Sequence, residues 1–581
     1  MRAPPLRRSF DGPSGHADEQ NALIDTTYSI RLCFVTVNGS GILTARVGVI
    51  VIGYNDAAHI GHAVRSALAQ GPAVAEVIAV NDASTDRTRA VLDRIAAGEP
   101  RLRVIHRPVN SGGCGTPRND GVRAATAPYV MFLDSDDVLP HGAAAALLDA
   151  ALRHDAAVAA GLCVRRELPR RRDTPWQAPL YRRPAVHDCP ERHPALLRDT
   201  LCVNKLYARA FLAGHGIAFP EGAFRYEDFV FTARVLAAAP RVATVPDTVY
   251  IWHVRRDADR PSISLDRERV SNWQARVRAH QHSVEVFREA GSAPLAHAAR
   301  VKFLDHDLRM YVRELPGHGP GYRRAWWRVA RDCLASYDEA DLCAARAPAR
   351  WIARVVLATA TPRDLDRLAQ LAARPARLLP PYAEVAGRAV WATDLPQVLL
   401  DGLTGSGAKP ARRLPVTVDA ELRPRTGART ELRLCVHDLY GRLTAARPHT
   451  VDIELRLRDG KAVLEHTVPL AADDSMWGAE LNLDLAELAR RGRRPADAPQ
   501  AWDIRVRIHC THGGILRAAV RAAGDDMRPV ALPSARHGLL LAQPYATGGG
   551  SLALRLAPGV RCATGVALRR LRRRVRQSTP W

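Results

Sequence analysis

The chain has 581 residues, of which 47% are hydrophobic and 25% are charged, so it can bury several cores and is not a disordered, collagen-like or coiled-coil protein. Its 83 basic and 60 acidic residues leave a net charge of +23, which attracts phosphates, nucleic acids and anionic lipids. All but four of the basic residues are arginines, so an arginine-rich composition bias explains the excess equally well.

The chain shows no membrane-spanning pattern and no secretory signal. Its apolar runs are far shorter than the ~20 residues that a membrane-spanning helix needs. Residues 1–45 contain no apolar stretch followed by a cleavage site, and we expect them to form a disordered extension. The ten cysteines form no C-x-x-C pair, which disfavours a zinc module or a disulfide framework. We therefore predict a cytoplasmic protein.

From Val47 onward, short β-branched runs alternate with segments of helical periodicity. The predicted elements, in chain order, are Val47–Ile52, Ile60–Ala69, Val77–Val80, Thr88–Ala97, Leu102–Ile105 and Tyr129–Leu133. This alternation is typical of βαβ units and predicts an α/β domain over residues 46–265, with a mostly parallel sheet that helices cover on both faces. Such sheets bind ligands beyond the carboxyl ends of their strands.

Two regions with different patterns of apolar residues follow. Residues 266–398 carry apolar side chains at helical spacing and no strand-like alternation, which predicts a helical linker region. Residues 410–560 alternate polar and apolar side chains in short segments separated by turns, which predicts an all-β sandwich. Residues 561–581 form a basic tail with a cluster of arginines between 569 and 576. A disordered tail and a contact with an anionic membrane surface both fit that cluster.

Polar motifs follow three of the predicted strands, and two more lie further along the chain. The candidate residues in these motifs are Tyr54, Asn55, Asp82, Asn110, Arg118, Asp134, Asp136, Glu227 and Asp228. Taken singly, each is also a common turn or helix-cap residue. Only the combination of these motifs and their order along the chain distinguish one family of proteins from others.

Together, these motifs resemble the family 2 glycosyltransferases of the GT-A fold, which transfer a sugar from a nucleotide diphosphate with inversion. The resemblance covers residues 47–266 and includes the segment Asn204-Lys205-Leu206-Tyr207. It departs from the family pattern at Asn81, where the family usually has an aspartate. The resemblance implies an enzyme with the GT-A architecture.

The resemblance also implies a role for several residues. Asp134 and Asp136 fall on the D-x-D motif and would hold Mn²⁺ or Mg²⁺, with Asp136 as metal ligand and Asp134 meeting the ribose or the metal. Asp82 matches the residue that binds uracil, and Tyr54 would lie against the base, which argues for a UDP-sugar donor. Asp228 matches the base that takes the proton of the acceptor hydroxyl.

Further donor contacts are implied along the same stretch. Asn55, Asn110 and Arg118 would contact the donor, and residues 250–264 resemble the segment that closes over the diphosphate. Within that segment the implied contacts are His253, Arg255, Ser262 and Ser264. An ordinary structural role is equally compatible with each of these four residues.

The order of catalytic domain, helical linker and sandwich resembles the wall teichoic acid glycosyltransferases, which act on poly(ribitol phosphate). This implies a hydroxyl of a polymeric, polyanionic cell-envelope acceptor, and a sandwich that forms a homo-oligomer or holds the polymer. Arginines between 165 and 183 would attract such an acceptor, although an arginine-biased solvated insertion fits as well. The terminal arginines would add a peripheral contact with the inner face of the membrane.

Two other classes of function compete with this interpretation. A nucleic-acid-binding protein fits the net charge, but the chain has no zinc-finger, RNP-like or aromatic-interleaved basic motif, so we predict no nucleic-acid partner. A catalytically inactive GT-A scaffold or binding protein is the second alternative. The presence of Asp134, Asp136 and Asp228 favours the enzyme.

Overall fold

The computed structural model describes residues 46–568, apart from 170–171, 239–240, 256–265, 426–428, 459, 461, 475, 493–497, 513, 524–526, 535 and 548. These residues belong to one compact unit, Ala45–Trp581. Three sets of sequence predictions lie outside the described residues: the extension over residues 1–45, the contacts of Ser262 and Ser264, and the arginine cluster between 569 and 576.

The N-terminal part of the chain forms a nine-stranded sheet. Its strands are β1 (Val47–Gly53), β2 (Val74–Asn81), β3 (Leu102–His106), β4 (Tyr129–Asp134), β5 (Val158–Leu168), β6 (Arg172–Trp176), β7 (Ala185–His187), β8 (Lys205–Ala208) and β9 (Val242–Arg255). The strand order is β3-β2-β1-β4-β8-β5-β9-β7, and β6 pairs with β5.

This sheet is mixed, whereas the sequence predicted a mostly parallel one. Among the described strands, four pairs are parallel and four are antiparallel. The main cause is β8, which runs antiparallel to both of its neighbours, β4 and β5. A strand of four residues is too short to show its direction, or even its presence, in a hydrophobic pattern.

Helices pack against this sheet, as the βαβ pattern predicted. They are α1 (Ile60–Leu68), α2 (Thr88–Ala96), α3 (Gly115–Ala124), α4 (Ala143–Arg153), α5 (Arg209–Gly214) and α6 (Glu227–Ala238). All seven residues of β1 are buried, because a strand covered on both faces has no solvent-exposed side. The runs predicted as strands between residues 47 and 133 lie within the corresponding strands, and the two predicted helices, Ile60–Ala69 and Thr88–Ala97, each end one residue earlier in the structure.

The next region is largely helical. Its helices are α7 (Val270–Glu289), α8 (Ala293–Lys302), α9 (Arg309–Glu314), α10 (Pro320–Leu334), α11 (Glu339–Ala344), α12 (Ala347–Ala358) and α13 (Leu365–Ala372), and a π-helical turn at Phe303–Leu308 joins α8 to α9. The sequence analysis missed a hairpin of β10 (Ala383–Val385) and β11 (Arg388–Val390). Three residues are too few to show alternation.

The C-terminal region is rich in strands. They are β12 (Val418–Pro424), β13 (Arg429–His437), β14 (Pro448–Leu457), β15 (Val463–Pro469), β16 (Ala471–Asp473), β17 (Met476–Asp484), β18 (Gln500–Cys510), β19 (Gly514–Ala522), β20 (Val530–Ser534), β21 (Gly538–Ala546) and β22 (Leu552–Pro558), with short helices α14 (Arg442–Ala446) and α15 (Leu485–Arg491).

These eleven strands form one hydrogen-bonded network, and its division into a two-layered sandwich stays a prediction. Seven of the strands correspond to alternating segments of the sequence, at residues 416–422, 430–436, 450–457, 462–468, 502–509, 538–541 and 552–556, whereas β16, β17, β19 and β20 were not predicted. In β19, for example, arginine and alanine stand where β-branched side chains would mark a strand.

The helical region shares cores with both of its neighbours. Phe287 of α7 and Leu295 of α8 belong to the core of the N-terminal sheet. Trp326 of α10 and Trp351 of α12 instead belong to one continuous apolar cluster with Trp502 of β18. The helices therefore connect two cores by packing, and the domain boundaries read from the sequence stay predictions.

The last described residues are folded. Residues 560–568 are helical, and Cys562 and Val566 are buried against Ala557. The first part of the predicted basic tail is therefore packed on the C-terminal strands. In the part of the chain that the structure describes, no helix has the length and apolar character needed to cross a bilayer.

Candidate active site

The candidate residues that follow β1, β2 and β4 meet at one edge of the sheet. β1 lies between β2 and β4 and is parallel to both, with Gly53 opposite Asn81 and Ile52 opposite Asp134. The residues that follow these three strand ends are therefore neighbours. This is the edge at which open α/β sheets bind their ligands.

The loops after β1 and β2 are tied together by Asn55. Its backbone N–H donates to Ser84 Oγ (2.9 Å), and its side-chain Oδ1 accepts from the Thr85 N–H (2.7 Å). Asn55 has a φ of +50°, a left-handed conformation that asparagine tolerates better than most residues. Asn55 therefore shapes the site, while the neighbouring Tyr54 is 47% exposed and free to lie against a planar ligand.

Asp82, the predicted uracil-binding residue, is already hydrogen-bonded inside the protein. Its carboxylate accepts from Ser111 Oγ (2.7 Å), the Ser111 N–H (3.1 Å) and Asn110 Nδ2 (3.0 Å). Arg107 Nε lies 2.9 Å from the same carboxylate, which is only 6% exposed. The structure therefore gives Asp82 and Asn110 a contact that the sequence did not predict, since together they hold a glycine-containing loop, residues 110–114, against the end of β2.

The two D-x-D carboxylates lie at the end of β4, and each forms an ion pair with an arginine. Arg118 Nη2 is 2.6 Å from Asp134 Oδ1, and Arg255 Nη1 is 3.1 Å from Asp136 Oδ2. The side chains of Asp134 and Asp136 are nevertheless 35% and 43% exposed. Partial burial and the neighbouring charge of Asp134 raise the pKa of Asp136 to about 6.

This pair fits a hard divalent cation that shares its ligands with a diphosphate. Among the described residues, no group of three or more His, Cys, Asp or Glu side chains is arranged to hold a metal alone. Mg²⁺ is commonly bound through one or two carboxylates together with substrate phosphates, and Mn²⁺ also prefers oxygen ligands. Asp134 and Asp136 supply such carboxylates at an exposed strand end.

A buried carboxylate that the sequence analysis did not single out fastens β9 to the D-x-D turn. Asp137 accepts hydrogen bonds from Tyr250 Oη and from the His253 N–H, both at 2.7 Å. The Tyr250 hydroxyl in turn accepts from the Asp134 N–H (3.2 Å), and His253 Nδ1 lies 3.0 Å from the Asp136 carbonyl oxygen. These bonds and the ion pair of Arg255 place His253 and Arg255 beside the motif, and their contacts with the donor stay predictions.

Arg118 bridges two acidic elements from a buried position. Its Nη1 lies 2.5 Å from Glu227 Oε1 and its Nη2 lies 2.6 Å from Asp134 Oδ1, while the residue is only 3% exposed. Its guanidinium also lies over the Phe219 ring, 5.3 Å from the centroid. The structure thus shows Arg118 ordering carboxylates at the site, where the sequence predicted a donor contact.

The glycine-containing loop and α3 hold the segment that leads into α6. A Cβ on Gly115 would lie 2.0 Å from the Pro220 carbonyl oxygen, and one on Gly113 would lie 2.4 Å from that of Gly222, so both positions need glycine. Asn119 Nδ2 donates to the Phe219 carbonyl (3.0 Å), and Asn119 Oδ1 accepts from the Phe219 N–H (2.9 Å). These contacts position the start of α6.

Asp228 lies in the first turn of α6, beside Glu227. Glu227 is engaged by Arg118, whereas the Asp228 carboxylate makes no hydrogen bond or ion pair with any described residue. Burial and the charge of Glu227 raise the pKa of Asp228 to about 7. A carboxylate with this pKa and without a partner is well matched to accept a proton near neutral pH.

The helical region contributes two cations behind Asp228, and the sequence analysis missed both. Arg276 of α7 lies 4.7 Å from the centroid of Tyr226 and 5.0 Å from that of Phe229. Lys302 Nζ lies 4.2 Å from the Phe229 centroid. Both cations lower the pKa of Asp228 against the stronger effect of burial. Their role depends on packing between distant segments and leaves no local signal in the sequence.

A single buried carboxylate from the π-helical turn balances these cations. Asp307 Oδ1 lies 2.6 Å from Arg276 Nε, and its Oδ2 lies 3.6 Å from Lys302 Nζ. Those two cations hold the pKa of Asp307 well below its usual range, although burial opposes them. Asp307 thus pairs with both of the cations that act on Asp228.

Comparisons of the sequence agree with this geometry. The profile of Glycosyl transferase family 2 matches residues 48–212. The chain is 30% identical to the succinoglycan biosynthesis protein ExoO of Rhizobium meliloti over 227 residues, which is 37% of this chain and 63% of that protein. It is 30% identical to the poly(ribitol-phosphate) beta-N-acetylglucosaminyltransferase TarS of Staphylococcus aureus over 187 residues, 32% of this chain and 31% of TarS.

The matched segments span less than two thirds of these relatives. The same holds for the poly(ribitol-phosphate) beta-glucosyltransferase of Bacillus spizizenii, which is 29% identical over 32% of this chain and 29% of its own length. The fold likeness extends further. The crystal structure of S. aureus TarS superposes with a TM-score of 0.50 over 88% of this chain and 85% of that one, at 18% identity.

Proposed function

We propose that the chain, whose residues 48–212 match the model of Glycosyl transferase family 2, is an inverting, metal-dependent enzyme of that family with the GT-A fold. It would move a sugar from a UDP-sugar to a hydroxyl of a cell-envelope polymer. The observation that carries the proposal is Asp228, whose carboxylate forms no hydrogen bond or ion pair within the described part of the chain and has a pKa raised to about 7.

Donor binding is proposed at the ends of β1, β2 and β4. The exposed Tyr54 ring would lie against the base, next to the loop that Asp82 holds in place. Asp134 and Asp136 would hold a divalent cation with the diphosphate, and that cation would stabilise the negative charge of the leaving group. The ion pair with Arg255 keeps Asp136 oriented within this edge.

The transfer step is a single displacement at the anomeric carbon. The acceptor oxygen forms its bond to that carbon while the bond to the diphosphate oxygen breaks, and the diphosphate leaves with the electron pair. The acceptor proton passes to the Asp228 carboxylate, because a hydroxyl is a weak nucleophile at neutral pH without a base. Glu227 does not compete for this proton, because Arg118 engages it.

A polyanionic, teichoic-acid-like polymer is the acceptor class that we propose. Two of the matched relatives carry poly(ribitol-phosphate) in their names. The charge of this chain is complementary, since Arg165, Arg166 and Arg172 lie on the β5–β6 hairpin, whose strand β5 pairs with β9. Oligomer formation through the C-terminal strands and membrane contact through the arginine tail stay predictions.

The experiment that tests this function is a thermal-shift panel with UDP, GDP, CDP and ADP, each with and without Mn²⁺. A ligand that binds only the folded state raises its stability by RT ln(1 + [L]/Kd). We expect stabilisation by UDP with Mn²⁺, and loss of that stabilisation in Asp136→Ala. Absence of a shift with every nucleotide would contradict the proposal and favour an inactive scaffold.

A further inference from the structure

Two tryptophans form an aromatic wall beside the candidate active site. Trp252 of β9 and Trp176 of β6 are both partly exposed, and their rings meet edge to face with centroids 6.0 Å apart. Trp176 also meets His306 edge to face at 6.2 Å. We name Trp176, Trp252 and His306 the aromatic wall.

The wall connects the two sides of the site. Trp252 lies between Tyr250, which is bonded to Asp137, and His253, whose ring nitrogen is 3.0 Å from the Asp136 carbonyl. His306 lies in the π-helical turn next to Asp307, which pairs with Arg276. The wall thus joins strand β9, which carries the contacts with the D-x-D turn, to the π-helical turn that carries Asp307.

The wall is rigid and carries a cation. Trp176 Nε1 donates to the fully buried Asp199 (3.1 Å), which also accepts from Asn204 Nδ2 (2.7 Å). The Arg165 guanidinium lies over Trp252, 5.3 Å from the ring centroid. Aromatic rings and a guanidinium side by side suit a ligand with an apolar C–H face and a phosphate.

We propose that the aromatic wall and Arg165 form the acceptor subsite, which binds one phosphate-bearing polyol or sugar unit of the polymer. The C–H face of the unit packs on the indole rings, and its phosphate pairs with Arg165. Burial lowers the pKa of His306 to about 4, so its ring is neutral at physiological pH and adds no charge. This inference rests on the proposed function and names the part of the site that selects the acceptor.

The test compares acceptor and donor kinetics in Trp252→Ala, Trp252→Phe and Arg165→Met. The probe is a ribitol-phosphate oligomer, with phosphate-free ribitol oligomer as its neutral counterpart. We expect Trp252→Ala to raise the acceptor KM about tenfold or more, because a large aromatic contact is lost, while Trp252→Phe recovers most of the affinity. Arg165→Met should raise the KM about fivefold for the phosphate-bearing oligomer alone.

Measurements on the donor alone distinguish failure of the acceptor subsite from failure of the proposed function. The UDP affinity and the slow hydrolysis of the UDP-sugar without acceptor should stay unchanged in all three variants. Trp477→Ala, a partly exposed tryptophan of β17, is the matched control and should leave the acceptor KM unchanged. Unchanged acceptor KM in Trp252→Ala and Arg165→Met, with normal UDP binding, would overturn the subsite. Failure of the wild-type protein to bind UDP would overturn the proposed function, and the subsite with it.

Discussion

The N-terminal sheet and the C-terminal strands place their charges differently. All seven residues of β1 are buried, whereas β18 alternates buried and partly exposed positions along its length. Charge at the N-terminal site is buried, as in Arg118 with Glu227, whereas Arg433 and Glu480 pair across β13 and β17 with 45% and 60% of their side chains exposed. Burying a charge costs free energy unless the charge is paired. A buried network of paired charges therefore indicates a part of the molecule whose function depends on exact side-chain positions.

The largest expected effect is on the reaction itself. Asp228→Asn removes the proposed proton acceptor but keeps the shape of the side chain, so we expect kcat to fall about 10²- to 10⁴-fold. UDP affinity and the melting temperature should change little, because the carboxylate makes no hydrogen bond or ion pair with any described residue. Steady-state kinetics with nucleotide-binding measurements check this. Full activity in Asp228→Asn would show that another group takes the proton.

The next largest expected effect is on the free energy of unfolding, which should fall more for a variant of the N-terminal site than for a variant of the C-terminal strands. Arg118→Met leaves Glu227 and Asp134 buried or half-buried without their cation, and we expect it to destabilise the fold by about 3–5 kcal/mol. Arg433→Met breaks an exposed cross-strand pair and should cost less than about 1 kcal/mol. Urea unfolding of both variants measures the difference. Equal losses would contradict the contrast drawn between the two regions.

The pH dependence of kcat/KM tests whether the helical region contributes to the electrostatics of the site. Because only the ionised Asp228 accepts a proton, and its pKa is raised to about 7, kcat/KM should fall about tenfold between pH 8 and pH 6. Lys302 lowers that pKa, so Lys302→Met should move the profile to higher pH. Lys409→Met, far from this site in the chain, serves as control. An unmoved profile in Lys302→Met would remove Lys302 from the electrostatics of the site.

The smallest effect concerns a histidine of the C-terminal strands. The Asp419 carboxylate, 2.9 Å from His437 Nε2, and the Cys435 thiol raise the pKa of His437 to about 9. A raised folded pKa means stability that is fully present below pH 6.5 and is lost as the pH rises through about 9. An NMR titration of His437 checks the value, and a midpoint near 6.5 would contradict it. Catalysis should not follow this titration.

Much of the architecture could be predicted because it is local. The β-branched run of β1 and the amphipathic spacing of α1 and α2 are patterns of residues close together in the chain. The positions of these three elements therefore agree with the sequence predictions to within one residue. The D-x-D and Glu-Asp motifs likewise stand at the end of β4 and the start of α6. Short strands such as β8 and β10 were not predicted, because three or four residues are too few to show an alternation of polar and apolar side chains.

The sequence by itself indicated many of the elements, the α/β and β-rich regions, and the identity of the residues gathered at the strand ends. Only the tertiary structure decided which of those residues are available for chemistry. Arg118 meets Glu227 from 109 positions away, whereas the neighbouring Asp228 makes no hydrogen bond or ion pair with any residue that the structure describes. Burial and Coulomb interactions depend on distance in space, and so the pKa of Asp228 depends on Arg276 and Lys302, two cations that lie in another region of the chain.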